Sequence, residues 1–233
     1  MTTPAVAARR ALLFDMDGTM FDNMAYHGQA WLAFFARRGL ALDEAAFFAD
    51  TAGRQNHEIF RSYLDVHLSD LECAQLAQEK ESLYRELYTA HRAPMPGLLE
   101  LLALARAQGF ALAVGTAAPL DNIHFLLDAL DLRRHFDTVV GAAEVAHGKP
   151  APDIFLLAAE RCGVPPAQCI VFEDAPLGVE AARRAGMPCV VLTSTSPASN
   201  FAAFENVLAC LADFSSVPSS LAQWCAIDHF LST

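Results

Sequence analysis

Residues 11–19 read Ala-Leu-Leu-Phe-Asp-Met-Asp-Gly-Thr, so four apolar residues lead directly into a motif with two aspartates. An apolar run without polar alternation is typical of a strand that is buried on both faces of a parallel sheet. Further runs of this kind, each ending in polar or small residues, lie at residues 111–114, 138–140, 169–172 and 189–192. Residues 207–211 are a candidate for one more strand.

Helical patterns separate most of these runs. Apolar residues recur at helical spacing in residues 98–108, 120–130, 153–162 and 177–185. Gly109, Gly163 and Gly186 follow three of these segments, where glycine commonly ends a helix. The alternation of strands and helices predicts an α/β fold with a doubly wound parallel sheet.

The interval between the first and second strands is almost entirely helical in pattern. Residues 24–38, 43–50, 56–63 and 69–91 carry apolar residues three and four positions apart. The Pro-rich stretch 91–97 then forms a stiff exit. We therefore predict two domains: an α/β core formed by residues 1–19 and 93–233, and a small helical domain formed by residues 20–92.

Composition and charge exclude several classes of protein. The 233 residues are 54% hydrophobic and 18% charged, which is too apolar for a disordered chain. Lysine and arginine total 16 against 27 acidic residues, a formal net charge of −11. A general nucleic-acid binder needs a cationic surface, so no nucleic-acid partner is expected. An anionic substrate would require locally gathered positive charge, such as a bound cation with one or two placed bases.

The cysteines and the apolar segments indicate the compartment. The six cysteines are scattered and form no Cys-x-x-Cys pair, so neither a zinc site nor a redox pair is predicted. Residues 1–10 lack the apolar stretch of a secretory signal. No apolar run reaches the ~18 residues that a membrane-spanning helix requires. We expect a cytoplasmic protein with reduced thiols and no membrane partner.

The predicted strands end in residues suited to chemistry. Asp15 and Asp17 follow the first strand, and two carboxylates this close raise each other's pKa or require a cation. A simple turn is the alternative for an isolated Asp-x-Asp-Gly. Three later strand ends add Thr116, Lys149 and the pair Glu173-Asp174. The carboxyl ends of parallel strands meet at one edge of the sheet, so we expect these groups to converge on one site.

Together these stretches resemble the four motifs of the haloacid dehalogenase (HAD) superfamily: residues 15–19, Thr116, Lys149-Pro150-x-Pro152-Asp153 and Phe172-Glu173-Asp174. The helical insertion resembles the small cap domain of that superfamily. The start of the insertion, Asp22-Asn23-x-x-Tyr26-His27-x-x-x-Trp31, is similar to the β-phosphoglucomutase-like subgroup. The resemblance covers residues 11 to about 192 and implies a Rossmann-like core.

The resemblance implies a phosphoryl-transfer enzyme. Asp15 would be the nucleophile that forms an aspartyl phosphate, and Asp17 would be the general acid and base. Thr116 and Lys149 would stabilise the phosphoryl oxygens. The hard oxygen ligands that suit Mg²⁺ would be Asp15, the main-chain carbonyl of Asp17, Glu173 and Asp174. Dehalogenases of the superfamily lack the second aspartate, so the presence of Asp17 favours phosphoryl transfer.

Substrate-binding residues are also implied in the cap. His27 and Trp31 lie four residues apart on one helix face; we expect Trp31 to pack, whereas His27 either packs or contacts substrate. Gly53 and Arg54 belong to the loop that would approach the substrate. Lys80 resembles a substrate-facing lysine of the subgroup, but its place in a polar helical run favours a solvated helix lysine.

The two bases that would anchor a second phosphate are missing at the matching positions, with Arg54, two residues from the first of them, as the candidate replacement. Mutases of the subgroup bind the second phosphate with an arginine of the cap loop and with a lysine. The position of the arginine corresponds to Asn56 in this sequence, and that of the lysine corresponds to Pro119, two residues after Ala117. Charge-assisted contacts to phosphate are each worth ~1.5–3 kcal/mol, so two losses weaken retention of a bisphosphate. Asn56 and Ala117 remain candidate substrate contacts.

We therefore predict a Mg²⁺-dependent phosphatase acting on a small phosphorylated metabolite, with a sugar phosphate as the candidate. A β-phosphoglucomutase-type mutase is the alternative within the family. A receiver-like signalling module is the non-enzyme alternative, although a receiver is shorter and has no helical insertion. The oligomeric state and the role of the last ~40 residues stay open, with a monomer as the simplest expectation.

Overall fold

The computed structural model describes residues 9–51, 56–219 and 221. The described residues form two compact units, one within Met1–Asp22 and Ala93–Thr233 and the other within Asn23–Arg92. The first unit is an α/β structure and the second is entirely helical. They are described separately below.

The α/β unit contains one parallel sheet. Its strands are β1 (Ala11–Phe14), β2 (Ala111–Gly115), β3 (Thr138–Val140), β4 (Cys169–Glu173), β5 (Cys189–Leu192) and β6 (Val207–Leu211). Their order in the sheet is β3-β2-β1-β4-β5-β6, and each neighbouring pair is parallel. β1 therefore lies between β2 and β4, at the point where the strand order reverses direction. The predicted doubly wound α/β fold is confirmed.

The helices of this unit follow the predicted segments, with one difference. They are α5 (Leu98–Ala107), α6 (Leu120–Ile123), α7 (Asp153–Cys162) and α8 (Pro176–Arg184). The sequence predicted one helix over residues 120–130, but the wider π form takes over in His124–Asp128. There the Ala129 N–H donates to the His124 carbonyl, five residues earlier. Apolar spacing alone does not distinguish this hydrogen-bond pattern from that of an α-helix.

The core of the α/β unit lies on both faces of the sheet. Successive strand residues point to opposite faces, so Ala11 and Leu13 pack in a cluster with buried residues of α7 and α8. Phe14 points to the other face. There it stacks on Phe172 of β4, with ring centroids 4.8 Å apart and an interplanar angle of 5°.

Phe214 completes an aromatic triad with Phe14 and Phe172. Its ring centroid lies 6.0 Å from that of Phe14 and 5.5 Å from that of Phe172. All three rings are buried. Because Phe14 and Phe172 directly precede Asp15 and Glu173, the triad supports the strand ends on which the predicted catalytic residues lie.

The helical unit contains α1 (Met24–Ala36), α2 (Glu44–Thr51), α3 (Asn56–Tyr63) and α4 (Asp70–Tyr88). α4 begins with a capping box, in which the Ser69 hydroxyl accepts from the Glu72 N–H and the Glu72 carboxylate accepts from the Ser69 N–H. Trp31 is 8% exposed and lies among the rings of Phe34, Phe35, Phe47 and Phe60. The prediction that Trp31 packs is confirmed.

None of the helices in the described part of the chain is long and apolar enough to cross a membrane.

Removal of the Phe214 ring should destabilise the α/β unit. Phe214→Ala leaves a cavity against Phe14 and Phe172, and truncations of this kind cost about 3–5 kcal/mol. Leu99→Ala is the control, since Leu99 on α5 is 44% exposed, and such surface changes stay within about 0.5 kcal/mol. Urea unfolding followed by circular dichroism measures both values. Equal free energies of unfolding for the two variants would contradict the role given to the triad.

Candidate active site

Asp15 occupies the central position at the carboxyl edge of the sheet. It follows β1 directly, and its main-chain N–H donates to the Phe172 carbonyl of β4 at 3.0 Å. Ligands of open α/β sheets bind outside the carboxyl ends of the strands, where the strand order reverses. Asp15 is 7% exposed, so its carboxylate is largely removed from water.

Lys149 joins carboxylates at the ends of β1 and β4. Its ammonium group donates to Asp15 Oδ1 and, at 2.6 Å, to Glu173 Oε1. It also lies 4.9 Å from the centroid of the Phe155 ring, the first aromatic residue of α7. The side chain of Lys149 is 11% exposed, so Lys149 is a buried base that bridges two buried acids.

Glu173 and Asp174 are held by hydrogen bonds on several sides. Glu173 Oε2 accepts from the N–H groups of Asp174 and Ala175, at 2.9 and 3.0 Å. Asp174 Oδ1 accepts from the Thr19 hydroxyl at 2.9 Å, and Asp174 Oδ2 accepts from the Thr195 hydroxyl at 2.6 Å. These bonds fix the orientation of both carboxylates.

Two glycines give these carboxylates their room. A Cβ atom added to Gly18 would lie 2.3 Å from Asp174 Oδ2, and one added to Gly178 would lie 1.7 Å from Glu173 Oε1. Gly18 also has a φ of +79°, in the left-handed region that glycine adopts most readily. The acidic residues therefore occupy space that other residues at positions 18 and 178 would fill.

Charge is unbalanced in this group. Lys149 carries one positive charge, whereas Asp15, Glu173 and Asp174 carry three negative charges when ionised. Burial raises the pKa of Asp15 well above its usual value; Lys149 opposes this effect, and repulsion by Glu173 and Asp174 adds to it. Burial and repulsion by Glu173 raise the pKa of Asp174 to about 7. Burial lowers the pKa of Lys149, but attraction to Asp15 and Glu173 outweighs this, so its pKa is raised and it stays charged.

The acidic group fits a hard divalent cation. One carboxylate oxygen from each of Asp15, Glu173 and Asp174 lies within 4.8 Å of the others. Oxygen ligands of this kind are those that Mg²⁺ prefers. The ionised acids and Lys149 sum to two negative charges, the charge that one divalent cation balances. The three residues can therefore hold such an ion.

Thr116 and Asp17 lie at neighbouring strand ends. Thr116 follows β2 and is 1% exposed; its hydroxyl oxygen accepts from the Ala118 N–H at 3.1 Å. Ala117, between them, is exposed. Asp17 lies in the turn after β1, where its backbone pairs with that of Phe21, and it is half-buried. The sheet therefore gathers all four predicted catalytic positions along one edge.

The helical unit holds a second polar group of its own. Lys80 Nζ lies 2.9 Å from Glu81 Oε1 and 3.0 Å from His27 Nδ1. Asn56 Nδ2 lies 3.4 Å from the same Glu81 oxygen. The His27 ring stacks on Tyr84, with centroids 3.7 Å apart. We call His27, Asn56, Lys80 and Glu81 the helical polar cluster.

The burial of Lys80 contradicts one of the two interpretations drawn from the sequence. It is 3% exposed, so the alternative of a solvated helix lysine is wrong. His27 has a side chain that is 12% exposed and belongs to the polar cluster. The predicted substrate residues Gly53 and Arg54 lie outside the described residues.

Three hydroxyl residues of the site were not assigned a role from the sequence. The first motif predicts no function for Thr19, and Ser194 and Thr195 follow β5, whose end carries no acidic or basic residue. The Ser194 hydroxyl donates to the Gly18 carbonyl, and Thr195 donates to Asp174. The signal was present, because residues 193–196 form a Thr-Ser-Thr-Ser run directly after an apolar strand.

A buried acidic group with a fixed lysine at this edge of an α/β sheet is typical of enzymes that transfer phosphoryl groups. Residues 9–186 match the haloacid dehalogenase-like hydrolase family. The chain is 40% identical to the fructose-1-phosphate phosphatase YqaB of Escherichia coli K12 over 179 residues, which is 77% of this chain and 94% of that protein. The chain belongs to the haloacid dehalogenase-like hydrolases.

Solved structures agree with this assignment. A HAD hydrolase of family IA, variant 3, from Entamoeba histolytica superposes with a TM-score of 0.84 at 26% identity, covering 90% of this chain and 95% of that one. A β-phosphoglucomutase from Clostridium difficile superposes with a TM-score of 0.78 at 25% identity, covering 93% and 96%. The predicted superfamily and the predicted class, a phosphatase of this superfamily, are confirmed, and the receiver-like alternative is wrong.

The close approach at Gly18 gives a test with a matched control. Gly18→Ala and Gly39→Ala both place alanine at a positive φ, +79° and +73°, which costs about 1–2 kcal/mol. A Cβ at Gly39 meets nothing within 4 Å, whereas at Gly18 it displaces the Asp174 carboxylate. A displacement of about 1 Å in an active site can cost 10²-fold in rate. We expect this loss of phosphatase activity for Gly18→Ala alone; equal activities in the two variants would refute the argument.

Proposed function

We propose that this protein is a Mg²⁺-dependent phosphatase that hydrolyses a small sugar phosphate through a phosphoryl group carried on Asp15. The observation that carries the proposal is the buried Asp15 carboxylate, bridged by Lys149 to Glu173 at the carboxyl edge of the sheet. The similarity to a fructose-1-phosphate phosphatase supports a sugar phosphate as the substrate class.

In the first step, an Asp15 carboxylate oxygen attacks phosphorus and the bond from phosphorus to the sugar oxygen breaks. Asp17 donates a proton to that leaving oxygen, so the sugar departs as a neutral alcohol. The phosphoryl group is then bound to Asp15 as an acyl phosphate. The displacement is thus divided into two easier steps, and in the first of them the nucleophile is a carboxylate.

In the second step, water attacks the phosphorus while Asp17 accepts its proton. The bond between phosphorus and the Asp15 oxygen breaks, which releases inorganic phosphate and restores the carboxylate. Asp17 thus ends the cycle protonated again. Its place two residues after Asp15, in a half-buried turn, suits a group that must reach both the leaving oxygen and the incoming water.

The charge of the phosphoryl group requires compensation in both steps. Catalysis of phosphoryl transfer is mostly electrostatic stabilisation of the equatorial oxygens. We assign this role to the Lys149 ammonium group and the Thr116 hydroxyl. Glu173 accepts from Lys149 at 2.6 Å and so keeps the ammonium group beside Asp15.

Asp15, Glu173 and Asp174, with the main-chain carbonyl of Asp17, would hold Mg²⁺. When bound, Mg²⁺ supplies positive charge that offsets the repulsion between the carboxylates and the substrate phosphate. This proposal agrees with the raised pKa values of Asp15 and Asp174, since two acids at these positions lack sufficient positive charge without a cation.

The helical unit would act as the cap, and its polar cluster would bind the sugar part of the substrate. Lys80 is already paired with the buried carboxylate of Glu81, so its charge is balanced within the cluster. A balanced cluster suits neutral hydroxyl groups better than a second phosphate. We assign sugar contacts to His27, Asn56 and Lys80, and retain Gly53, Arg54 and Ala117 as further candidates from the family resemblance.

The mutase alternative requires firm binding of a bisphosphate. The resemblance at His27 and Lys80 and the similarity to a β-phosphoglucomutase structure speak for it. Against it stand Asn56 and Pro119 at the positions of the two phosphate-binding bases, and the pairing of Lys80 with Glu81. The balance of these observations favours water as the final acceptor.

Substitution of either aspartate should strongly lower the rate. Asp15→Asn removes the nucleophile and should lower the rate with an aryl phosphate by about 10³-fold or more. Asp17→Asn removes the acid and base and should cost about 10²–10⁴-fold. Chelation of Mg²⁺ should abolish activity of the unmodified protein, and added Mg²⁺ should restore it, whereas Ca²⁺ should substitute poorly.

Asp70→Asn is the matched control, since its side chain is 96% exposed on α4, and its rate should equal that of the unmodified protein. All variants should retain their circular dichroism spectra. Near-normal turnover by Asp15→Asn, or full activity in excess chelator, would overturn the proposed mechanism.

Product analysis should distinguish the phosphatase from the mutase. β-Glucose 1-phosphate is supplied with catalytic glucose 1,6-bisphosphate, and both glucose 6-phosphate and inorganic phosphate are followed over time. We expect inorganic phosphate to form faster. In a panel of sugar phosphates, Asn56→Ala should raise KM with little change in kcat, because it removes a contact to the sugar. Faster formation of glucose 6-phosphate would show that the protein is a mutase.

A further inference from the structure

We propose that Thr195, in the loop after β5, is a positioning residue that fixes the Asp174 carboxylate for metal binding. This inference rests on the proposed Mg²⁺ site. Thr195 belongs to none of the sequence motifs described above. It follows β5, a strand whose end contributes no acid or base.

The geometry at Asp174 engages both of its carboxylate oxygens. The Thr19 hydroxyl donates to Oδ1 at 2.9 Å, and the Thr195 hydroxyl donates to Oδ2 at 2.6 Å. The terminal torsion of an aspartate is broad, so one hydrogen bond leaves the carboxylate plane free to rotate. Donors on opposite oxygens define that plane.

Thr195 also lies 2.9 Å from the main-chain carbonyl oxygen of Asp174. Its single hydroxyl proton is therefore directed at two acceptors of the same residue. Asp174 is 3% exposed, whereas Thr195 belongs to the exposed residues of its loop. An exposed residue thus reaches a buried acid with its polar atom, which favours a specific role over one in packing.

The adjacent Ser194 ties the same loop to the turn that carries the first motif. Its hydroxyl donates to the Gly18 carbonyl, and Gly18 is the residue whose missing Cβ gives room to Asp174 Oδ2. The β5 loop therefore contacts Asp174 and its neighbouring turn at two consecutive residues. This double attachment holds Thr195 in place.

Hydrogen-bond partners of metal ligands set the orientation of those ligands, and their loss typically lowers metal affinity by about 10–100-fold. Thr195→Val keeps the shape of the side chain and removes the hydroxyl. Thr195→Ser keeps the hydroxyl. Thr193→Val is the matched control, because Thr193 lies in the same loop and donates to the Leu211 carbonyl instead of to the site.

The experiment is calorimetric titration of Mg²⁺ into each purified full-length variant without substrate. Thr195→Val should bind Mg²⁺ about 10-fold more weakly or worse, while Thr195→Ser and Thr193→Val should match the unmodified protein. Circular dichroism spectra without metal should agree among all four proteins, which shows that each variant is folded. In turnover assays, saturating Mg²⁺ should restore most of kcat to Thr195→Val, because the loss is one of metal affinity.

Unchanged Mg²⁺ affinity in Thr195→Val would overturn the inference and leave the proposed function intact. Equal weakening in Thr195→Ser or in Thr193→Val would also overturn it, since the effect would then come from the loop and not from the hydroxyl. Absence of Mg²⁺ binding by the unmodified protein would instead overturn the proposed metal site, and this inference with it. If Thr195→Val does not fold, Thr195→Ala takes its place under the same criteria.

Discussion

The repulsion among three buried carboxylates is the constraint on which the site depends. Asp15, Glu173 and Asp174 lie at the carboxyl ends of two adjacent strands and are nearly inaccessible to water. Burial of an ionised carboxylate costs several kcal/mol unless a partner compensates it. Lys149 and a set of hydroxyl and main-chain donors supply part of this compensation. The remainder must come from a cation or from protonation, and this requirement links metal binding to the fold itself.

The arrangement of the sheet makes this concentration of charge possible. β1 and β4 are neighbours in space although more than 150 residues separate them in sequence. The apolar residues of both strands, together with the ring of Phe214 that packs on Phe14 and Phe172, hold the strand ends in register. The polar groups at the edge are thus positioned by an apolar core that contains none of them. Stability and catalysis draw on different residues of the same strands.

Much of the fold and of the acidic site was predictable because the strands are short, apolar and end abruptly. In residues 11–15 and 169–174 the change from apolar to acidic residues marks both the strand and the site. The π-helical turn at His124–Asp128 was not predictable, since the apolar spacing is the same for both types of helix. The hydrogen bond from Thr195 to Asp174 was not predictable, because it depends on the path of a loop, and a run of hydroxyl residues is compatible with many paths.

The helical unit shows a different limit. Lys80 lies in the polar run Gln78-Glu79-Lys80-Glu81-Ser82, which by itself is typical of a solvated helix face. Lys80 lies 3.0 Å from His27 and 5.0 Å from the centroid of the Trp31 ring, both on α1. The Glu81 carboxylate that pairs with Lys80 lies 3.4 Å from Asn56 of α3. Periodicity within one helix carries no information on such contacts, because they join residues that are 25 to 53 positions apart.

The two polar groups of the molecule differ in their balance of charge, and this difference bears on the substrate. At the sheet edge, three acids exceed the single charge of Lys149, so a phosphate can be accommodated only with added positive charge. In the helical polar cluster, Lys80 and Glu81 balance each other. A phosphate group therefore suits the sheet edge only together with added positive charge, whereas neutral hydroxyl groups suit a cluster whose ammonium group is already engaged.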